Sequence, residues 1–167
     1  TTKNIVIAKR TTYNTLFDAT VDVIRQLVDA GHIAYLAGGC VRDRLLGCDP
    51  KDYDIATSAK PEQVLSLLPG SHYVGQAFGV VLLPLEIHNQ RHQLEIATFR
   101  KEWGYTDKRR PDRVVFTDAK QDAIRRDFTI NGLFEDPLEN RVIDHVDGQE
   151  DLKAGIIRTI GNPEDRF

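Results

Sequence analysis

The fold is decided by residues 33–57, which read IAYLAGGCVRDRLLGCDPKDYDIAT. The apolar run Ile33–Ala37 predicts a short buried strand that delivers the chain to Gly38-Gly39. Asp52-Tyr53-Asp54-Ile55 alternates polar and apolar residues, which is the pattern of a second strand. A short helix, Val41–Leu46, is expected between the glycine pair and the two aspartates.

The flanking sequence predicts further helices and strands. Apolar residues recur with a helical period over Asn14–Ala30, and Pro61 opens a second helix that runs to Leu68. The other predicted elements are strands at His72–Gln76, Val80–Leu85 (ended by Pro84) and Gln93–Phe99, a helix at Asp118–Leu133, and peripheral strands at Arg141–Asp144 and Ile156–Ile160. Together these elements predict an α+β (α/β-like) domain, in which helices pack on one mixed sheet.

Composition limits the class of protein. The 167 residues, 41% of them hydrophobic, suffice for one ordinary domain. The formal net charge of −3 argues against a broad basic surface, so any contact with nucleic acid is expected to be local. Cys40 and Cys48 form no CxxC pair, which indicates a reducing compartment and no zinc site. No apolar run is long enough to span a membrane, and we expect a cytoplasmic protein.

The candidate chemistry begins with the two aspartates. Asp52 and Asp54 are two residues apart on a predicted strand, so both carboxylates leave the same face. Such oxygen ligands suit Mg²⁺, although a solvent-facing pair is the commoner origin of this pattern. Gly38-Gly39 would let phosphate oxygens approach the backbone, or would form only a tight turn. Arg42, predicted in the first turn of its helix, opposes the helix dipole and is better explained as a phosphate ligand.

Two longer motifs carry a family resemblance. The string from Ala37 to Gly47, followed by Asp52-Tyr53-Asp54-Ile55-Ala56-Thr57, resembles class II tRNA nucleotidyltransferases and bacterial poly(A) polymerases. This branch belongs to the DNA polymerase β-type nucleotidyltransferase superfamily. The second motif, Arg125-Arg126-Asp127-Phe128-Thr129-Ile130-Asn131, is similar to the ribose-recognition motif of the same branch. Without the first motif, a surface salt-bridge ladder would be the preferred interpretation of the second.

The resemblance implies roles for individual residues. Asp52 and Asp54 would bind two Mg²⁺ ions, for which Mn²⁺ can substitute, and Gly38, Gly39 and Arg42 would hold the triphosphate. Arg126 and Asp127 would contact the ribose, and Glu95 and Asp127 are alternative candidates for a third acidic role. The region between residues 100 and 113 is predicted to be a mobile, basic loop, matching by position a loop that helps switch between adding C and adding A; an ordinary solvated loop is the alternative. Its cationic residues are Arg100, Lys101, Lys108, Arg109, Arg110 and Arg113.

The implied activity is template-independent transfer of CMP and AMP from CTP and ATP to the 3′ end of tRNA, with release of pyrophosphate. A poly(A) polymerase, an enzyme adding only CC or only A, and a non-catalytic nucleotide-binding module are the alternatives. The stretch Val74–Val81 favours the tRNA-repair members. Residues 1–160 are predicted to form the catalytic head and residues 161–167 the start of a neck. Base selection and most of the grip on RNA are expected to lie beyond Phe167, and neither DNA nor a membrane is an expected partner.

Overall fold

The computed structural model describes residues 13–74, 79–103, 113–162 and 164. The strands in this part of the chain are β1 (Ala34–Ala37), β2 (Asp54–Thr57), β3 (His72–Tyr73), β4 (Val80–Ile87), β5 (Gln90–Thr98), β6 (Arg100–Trp103), β7 (Arg113–Phe116), β8 (Leu133–Asp136) and β9 (Arg141–Asp144). The helices are α1 (Leu16–Asp29), α2 (Gly39–Leu45), α3 (Pro61–Leu67), α4 (Ala119–Ile124) and α5 (Gly148–Ala154), with a short 3₁₀ helix at Thr129–Asn131. The predicted fold class is confirmed.

The main sheet determines where the predicted functional residues lie. Among the described residues it has seven strands in the order β3-β4-β5-β2-β1-β8-β9, with β6 and β7 paired separately. Strands β2 and β5 are parallel, which places Asp54 opposite Glu95. Strands β1 and β2 are antiparallel, with Ala37 opposite Asp54. Because Gly38 directly follows Ala37, the glycine turn and the aspartates lie at the same edge of the sheet.

The two faces of the sheet are covered differently. On one face, Leu36, Ile55 and Leu94 pack with apolar residues of α1, α2 and α3 in the larger core cluster. On the other face, Ala37 and Phe134 belong to a smaller cluster, together with Ala56, Phe99 and Ala123 of α4. The register places Asp54 and Glu95 on this second face, where both are exposed. The carboxylates therefore lie on an open part of the second face, and α1, α2 and α3 pack on the opposite face.

Helix α1 forms as its sequence predicts. Thr15 caps the N-terminus, and its side-chain Oγ1 accepts a hydrogen bond of 3.0 Å from the Asp18 N–H. The helix buries one stripe against the sheet, consisting of Ala19, Thr20, Val23, Ile24 and Leu27. Gly31, at a φ of 94°, turns the chain after the last turn of the helix.

The predicted long helix over Asp118–Leu133 is wrong beyond its first half. Asp118 caps α4 by accepting from the Gln121 N–H, but the helix ends at Ile124. The Asp127 carboxylate then accepts a hydrogen bond of 2.6 Å from the Phe128 N–H, and such local bonds compete with helix formation. Leu133 starts β8, which pairs with both β1 and β9.

Other predicted boundaries also need correction. Strand β4 continues through Pro84 to Ile87, because it pairs with β5 along its whole length while its pairing with β3 stops at Leu82. Pro84 thus lies where the β3 side of the strand is an edge, a position that tolerates a missing N–H. The predicted strand Ile156–Ile160 is wrong, since it is reduced to a single bridge between Phe128 and Thr159. A helix that was not predicted, α5, precedes it.

The basic loop is only partly within the described residues. The segments that flank it, β6 and β7, pair as an antiparallel ribbon, so the prediction of an irregular loop is wrong at both ends. The structure does not describe residues 104–112. It also does not describe residues 75–76, which end the predicted strand His72–Gln76. Within the described part of the chain, no helix is both long enough and apolar enough to cross a membrane.

Candidate active site

The glycine pair forms a tight turn into α2 that two guanidinium groups closely approach. Gly38 has a φ of 76°, which favours glycine, and its N–H donates to the Leu133 carbonyl at 3.2 Å. A Cβ added to Gly38 would lie 3.3 Å from Nη1 of Arg126, and one added to Gly39 would lie 3.3 Å from Nη2 of Arg42. A methyl group at either position would therefore be tightly packed against a guanidinium group, which would have to shift by a few tenths of an ångström.

Arg42 lies at a different place in its helix from the one predicted. Helix α2 begins at Gly39 and ends at Leu45, so Arg42 lies in its last turn and not in the first. A cation there is favourable to the helix dipole, and the predicted dipole argument is wrong. The Arg42 side chain instead donates to Asp43 at 2.9 Å and to Asn131 Oδ1 at 2.8 Å, with one third of its side chain exposed.

The carboxylates meet in an open cleft on the second face of the sheet. Asp52, Asp54 and Glu95 line it, together with residues of β4 and β5, and its volume is about 1000 Å³. Strand β2 begins at Asp54, so Asp52 lies just before the strand and not on it as predicted. Asp54 and Glu95 lie opposite each other because β2 pairs in parallel with β5, which brings together residues that are distant in sequence.

Partial burial and the neighbouring carboxylates both disfavour the ionised form of Asp54. The pKa of this carboxyl is raised to about 7, first by its partial removal from water, then by the charge and a hydrogen bond of Glu95 and by the charge of Asp52. Arg126 acts in the opposite direction, because its positive charge favours the ionised form. A divalent cation between the carboxylates would relieve this repulsion.

The donor set fits a hard divalent metal ion. Among the described residues, no three His, Cys, Asp or Glu side chains are placed so that they could hold a metal ion by themselves. Mg²⁺ does not need such a cage, because it commonly takes one or two carboxylates and completes its shell with water and substrate phosphates. Asp52 and Asp54 provide such carboxylates at the mouth of the cleft, with Glu95 beside them.

A second, smaller cavity of about 340 Å³ adjoins the cleft at Asp54. Its lining combines the glycine turn with three arginines, two aspartates and one asparagine, namely Gly38, Gly39, Arg42, Asp54, Arg125, Arg126, Asp127 and Asn131. Asp127 accepts from Asn131 Nδ2 at 3.2 Å, which links the second sequence motif to the partner of Arg42. The site thus has a carboxylate side and a cationic side that share Asp54.

Contacts with Asp122 and Phe134 hold the Arg126 side chain in this cavity. Its Nη2 donates at 3.0 Å to Asp122, which is 1% exposed and also accepts from the Arg100 N–H and from Arg125 Nε. The guanidinium carbon lies 5.4 Å from the Phe134 ring centroid. Within the described residues, the buried Nε of Arg126 has no hydrogen-bond partner.

The structure brings together the residues that the two motifs predicted. Gly38, Gly39, Arg42, Arg126 and Asp127 line the smaller cavity, and Asp52, Asp54 and Glu95 line the cleft. Glu95 lies beside Asp54, whereas Asp127 lies on the cationic side, so the two candidates for a third acidic role occupy different places.

The basic loop residues fall elsewhere. Arg100 and Lys101 belong to β6 and Arg113 begins β7. Lys108, Arg109 and Arg110 lie outside the described residues.

Two further residues of the site, Asp122 and Asn131, were not predicted as functional. Asp122 could have been found from its spacing, because it precedes Arg125 and Arg126 by three and four residues, where side chains meet on a helix. Asn131 lies within the second motif, but its contact with Arg42 spans 89 residues and follows only from the fold.

The sequence of the chain is similar to those of known proteins. Residues 34–158 match the family model described as "Poly A polymerase head domain". The chain is 44% identical over 160 residues to the CCA-adding enzyme of Enterococcus faecalis, covering 95% of this chain and 38% of that protein. It is 45% identical over 153 residues to the CCA-adding enzyme of Lactobacillus helveticus, with 91% and 37% covered. The chain therefore spans little more than a third of the length of these curated relatives.

Solved structures agree. A Bacillus stearothermophilus CCA-adding enzyme in complex with CTP superposes with a TM-score of 0.77 at 36% identity, covering 90% of this chain and 35% of that one. A tRNA nucleotidyltransferase complexed with a primer tRNA and an incoming ATP analog gives a TM-score of 0.64 at 32% identity, with 83% and 38% covered. Since the family model matches well over half of the sequence, the chain belongs to the poly A polymerase head domain family.

Proposed function

We propose that this chain is the catalytic head of an enzyme that adds CMP and AMP from CTP and ATP to the 3′ end of tRNA and releases pyrophosphate. One observation carries the proposal: a carboxylate cleft and a cationic cavity meet at Asp54. Transfer of a nucleotidyl group needs both, because the triphosphate must be held while its α-phosphate is presented beside metal-binding carboxylates. The curated relatives named CCA-adding enzymes favour tRNA as the acceptor.

The residues divide the work by their chemistry. Arg42 and Arg126 place positive charge beside the glycine turn, where the bare backbone admits the triphosphate. Asp127 and Asn131, linked to each other, are placed to contact polar groups of the nucleotide such as the ribose hydroxyls. On the other side, Asp52 and Asp54 would hold two Mg²⁺ ions, with Glu95 as the neighbouring acid. When bound, the ions would activate the 3′-hydroxyl and neutralise charge at the α-phosphate.

The direct experiment is primer extension. The purified chain is incubated at high concentration with CTP, ATP and Mg²⁺ or Mn²⁺, with one of two acceptors: tRNA that lacks CCA or an oligo(A) primer. Product sequencing then identifies the nucleotides added. We expect slow addition of C and A to tRNA in no fixed order, lost in Asp54→Asn, because base selection and most of the grip on RNA are predicted to lie outside this head. Extension of oligo(A) alone would favour a poly(A) polymerase, and addition of only CC or only A would indicate a partial activity.

Nucleotide binding tests the proposal independently of the acceptor. Calorimetry compares the binding of CTP and ATP, with and without Mg²⁺, to the wild-type chain and to Asp54→Asn. We expect metal-dependent binding only in the wild type, with little preference between the two bases, because base selection is predicted to lie outside this head. Equal metal-dependent binding by both proteins would contradict the two-metal proposal, and strict selection of C by this chain would contradict the placement of base selection elsewhere.

A cytoplasmic location, where tRNA is matured, is part of the same proposal.

A further inference from the structure

Four side chains pack together on the helix-covered face of the sheet, behind the aspartates: Phe17, Arg44, Tyr53 and Glu135, hereafter the rear cluster. Arg44, near the end of α2, donates from Nε to both Glu135 carboxylate oxygens at 3.2 and 3.0 Å. Its guanidinium carbon lies 4.1 Å from the Phe17 ring centroid. The ion pair and the ring contact fix the guanidinium in one place.

Tyr53 links the rear cluster to the active site through its backbone, because it lies between Asp52 and Asp54 in the sequence. It is 4% exposed, and its ring lies 5.9 Å from that of Phe17. The Arg44 guanidinium packs on the same Phe17 ring, so Tyr53 and Arg44 share one aromatic neighbour. Burial raises the pKa of the Tyr53 hydroxyl, and the charge of Arg44 lowers it in part. Tyr53 stands between Asp52 and Asp54 in the sequence, so whatever holds its side chain also constrains the two carboxylates.

Asp52 needs such a constraint more than Asp54 does. The pairing of β2 with β1 and β5 begins at Asp54, so the sheet positions Asp54 directly. Asp52 precedes the strand, where the sheet no longer holds the chain. Since side chains alternate along an extended chain, Tyr53 points to the helix-covered face while the aspartates point to the cleft. The buried Tyr53 side chain is therefore the nearest anchor of Asp52.

Arg44 also connects this anchor to the cationic side of the site. It lies on the same helix as Gly39 and Arg42, while Glu135 belongs to β8, which pairs with β1 at Leu36. We propose that Arg44 is a positioning residue: held by Glu135 and packed on Phe17, whose ring also contacts Tyr53, it fixes Asp52 relative to Asp54 and to the phosphate-binding side of α2. This inference rests on the proposed function, because it assigns Asp52 and Asp54 to metal binding.

The test uses the whole chain and four variants. Arg44→Met removes the charge and retains an apolar side chain, Arg44→Lys retains the charge without the planar fork, and Glu135→Gln removes the charge of the partner. Arg25→Met, an exposed arginine on α1, is the matched control. Binding of Mn²⁺ is measured by electron paramagnetic resonance without nucleotide or RNA, and transfer kinetics and melting temperature are measured in parallel.

We expect Arg44→Met to raise the Mn²⁺ dissociation constant about tenfold and to lower kcat about 10- to 100-fold, the range found for residues that orient metal ligands. KM for CTP should change less than about twofold, because Arg42 and Arg126 are retained. Arg44→Lys should recover part of the loss, Glu135→Gln should show a smaller loss than Arg44→Met, and Arg25→Met should match the wild type. A lower melting temperature of Arg44→Met with unchanged Mn²⁺ affinity and kcat would refute the positioning role and leave Arg44 as a structural residue.

A second variant and the behaviour of the wild type provide two further tests. If Arg44→Met does not fold, Phe17→Leu removes the ring that Arg44 and Tyr53 share and should weaken Mn²⁺ binding about threefold, the effect of one aromatic pair; unchanged binding would refute the inference. If the wild type binds Mn²⁺ but transfers no nucleotide, the proposed function fails, while a weaker affinity in Arg44→Met still supports the positioning role. A wild type that binds no Mn²⁺ refutes the inference itself.

Discussion

Replacing Asp54 by asparagine should stabilise the protein while destroying its metal site. Asp54 is close to Glu95 and Asp52, and its pKa is raised to about 7, first by partial burial and then by these neighbours. Because the pKa is raised above the ordinary value of about 4, the protonated group favours the folded state. That contribution is fully present below about pH 4 and is lost as the pH rises through about 7. The uncharged amide of the Asp54→Asn variant avoids the loss.

The size of the effect follows from the sheet. Asp54 and Glu95 are opposite one another on adjacent parallel strands, which are about 4.8 Å apart. Two unit charges at that distance repel by about 1 kcal/mol in water and by about 3 kcal/mol at an effective dielectric constant of 20. Because Asp54 is exposed, solvent screening favours the lower value of about 1 kcal/mol. For a chain of this size, we expect a gain of about 2–4 °C in melting temperature.

The assay is thermal denaturation followed by circular dichroism, with a chelator present, at pH values from 4 to 9. Asp54→Asn should match the wild type near pH 4 and become more stable above pH 7. Added Mg²⁺ should stabilise the wild type at pH 8 and have no effect on the variant. Asp29→Asn, at an exposed carboxylate at the end of α1, is the control for removing one negative charge. A difference in melting temperature between Asp54→Asn and the wild type that stays constant at all pH values would contradict a destabilising ionisation of Asp54.

Substitutions at glycine test other parts of the structure. In Gly148→Ala, the new Cβ would clash with the Thr129 carbonyl oxygen, so the backbone must move, and urea unfolding should show a loss of about 3 kcal/mol. Gly155→Ala meets nothing within 4 Å and should lose only about 1 kcal/mol, from its φ of 69°; equal losses would contradict the packing argument. Gly39→Ala should displace Arg42, whose Nη2 would be 3.3 Å from the new Cβ, and raise the CTP dissociation constant about tenfold in calorimetry at unchanged stability. Unchanged affinity would show that Arg42 does not hold the triphosphate.

Several features of the fold were evident from the sequence because they depend on near neighbours. The apolar residues of α1 recur with a helical period, and this period depends only on residues that are near neighbours in the sequence. Elements whose ends depend on distant partners were predicted less well. Helix α4 stops at Ile124 because of local bonds made by Asp127, and β4 continues through Pro84 because β5 pairs with it. The register of a sheet is a long-range property, and a single sequence does not reveal it.

The same division applies to the candidate site. The sequence predicts that Gly38-Gly39 and Asp52-Tyr53-Asp54 belong to one compact unit, since a strand, a short helix and a second strand follow one another within residues 33–57. The proximity of Glu95 to Asp54 depends on the fold, because it requires the parallel pairing of two strands that are distant in sequence. Likewise, the fold alone carries Arg126 to the glycine turn and Glu135 to Arg44, across 91 residues in the second case. Hydrogen bonds between strands fix such contacts, and they form only once the whole sheet is assembled.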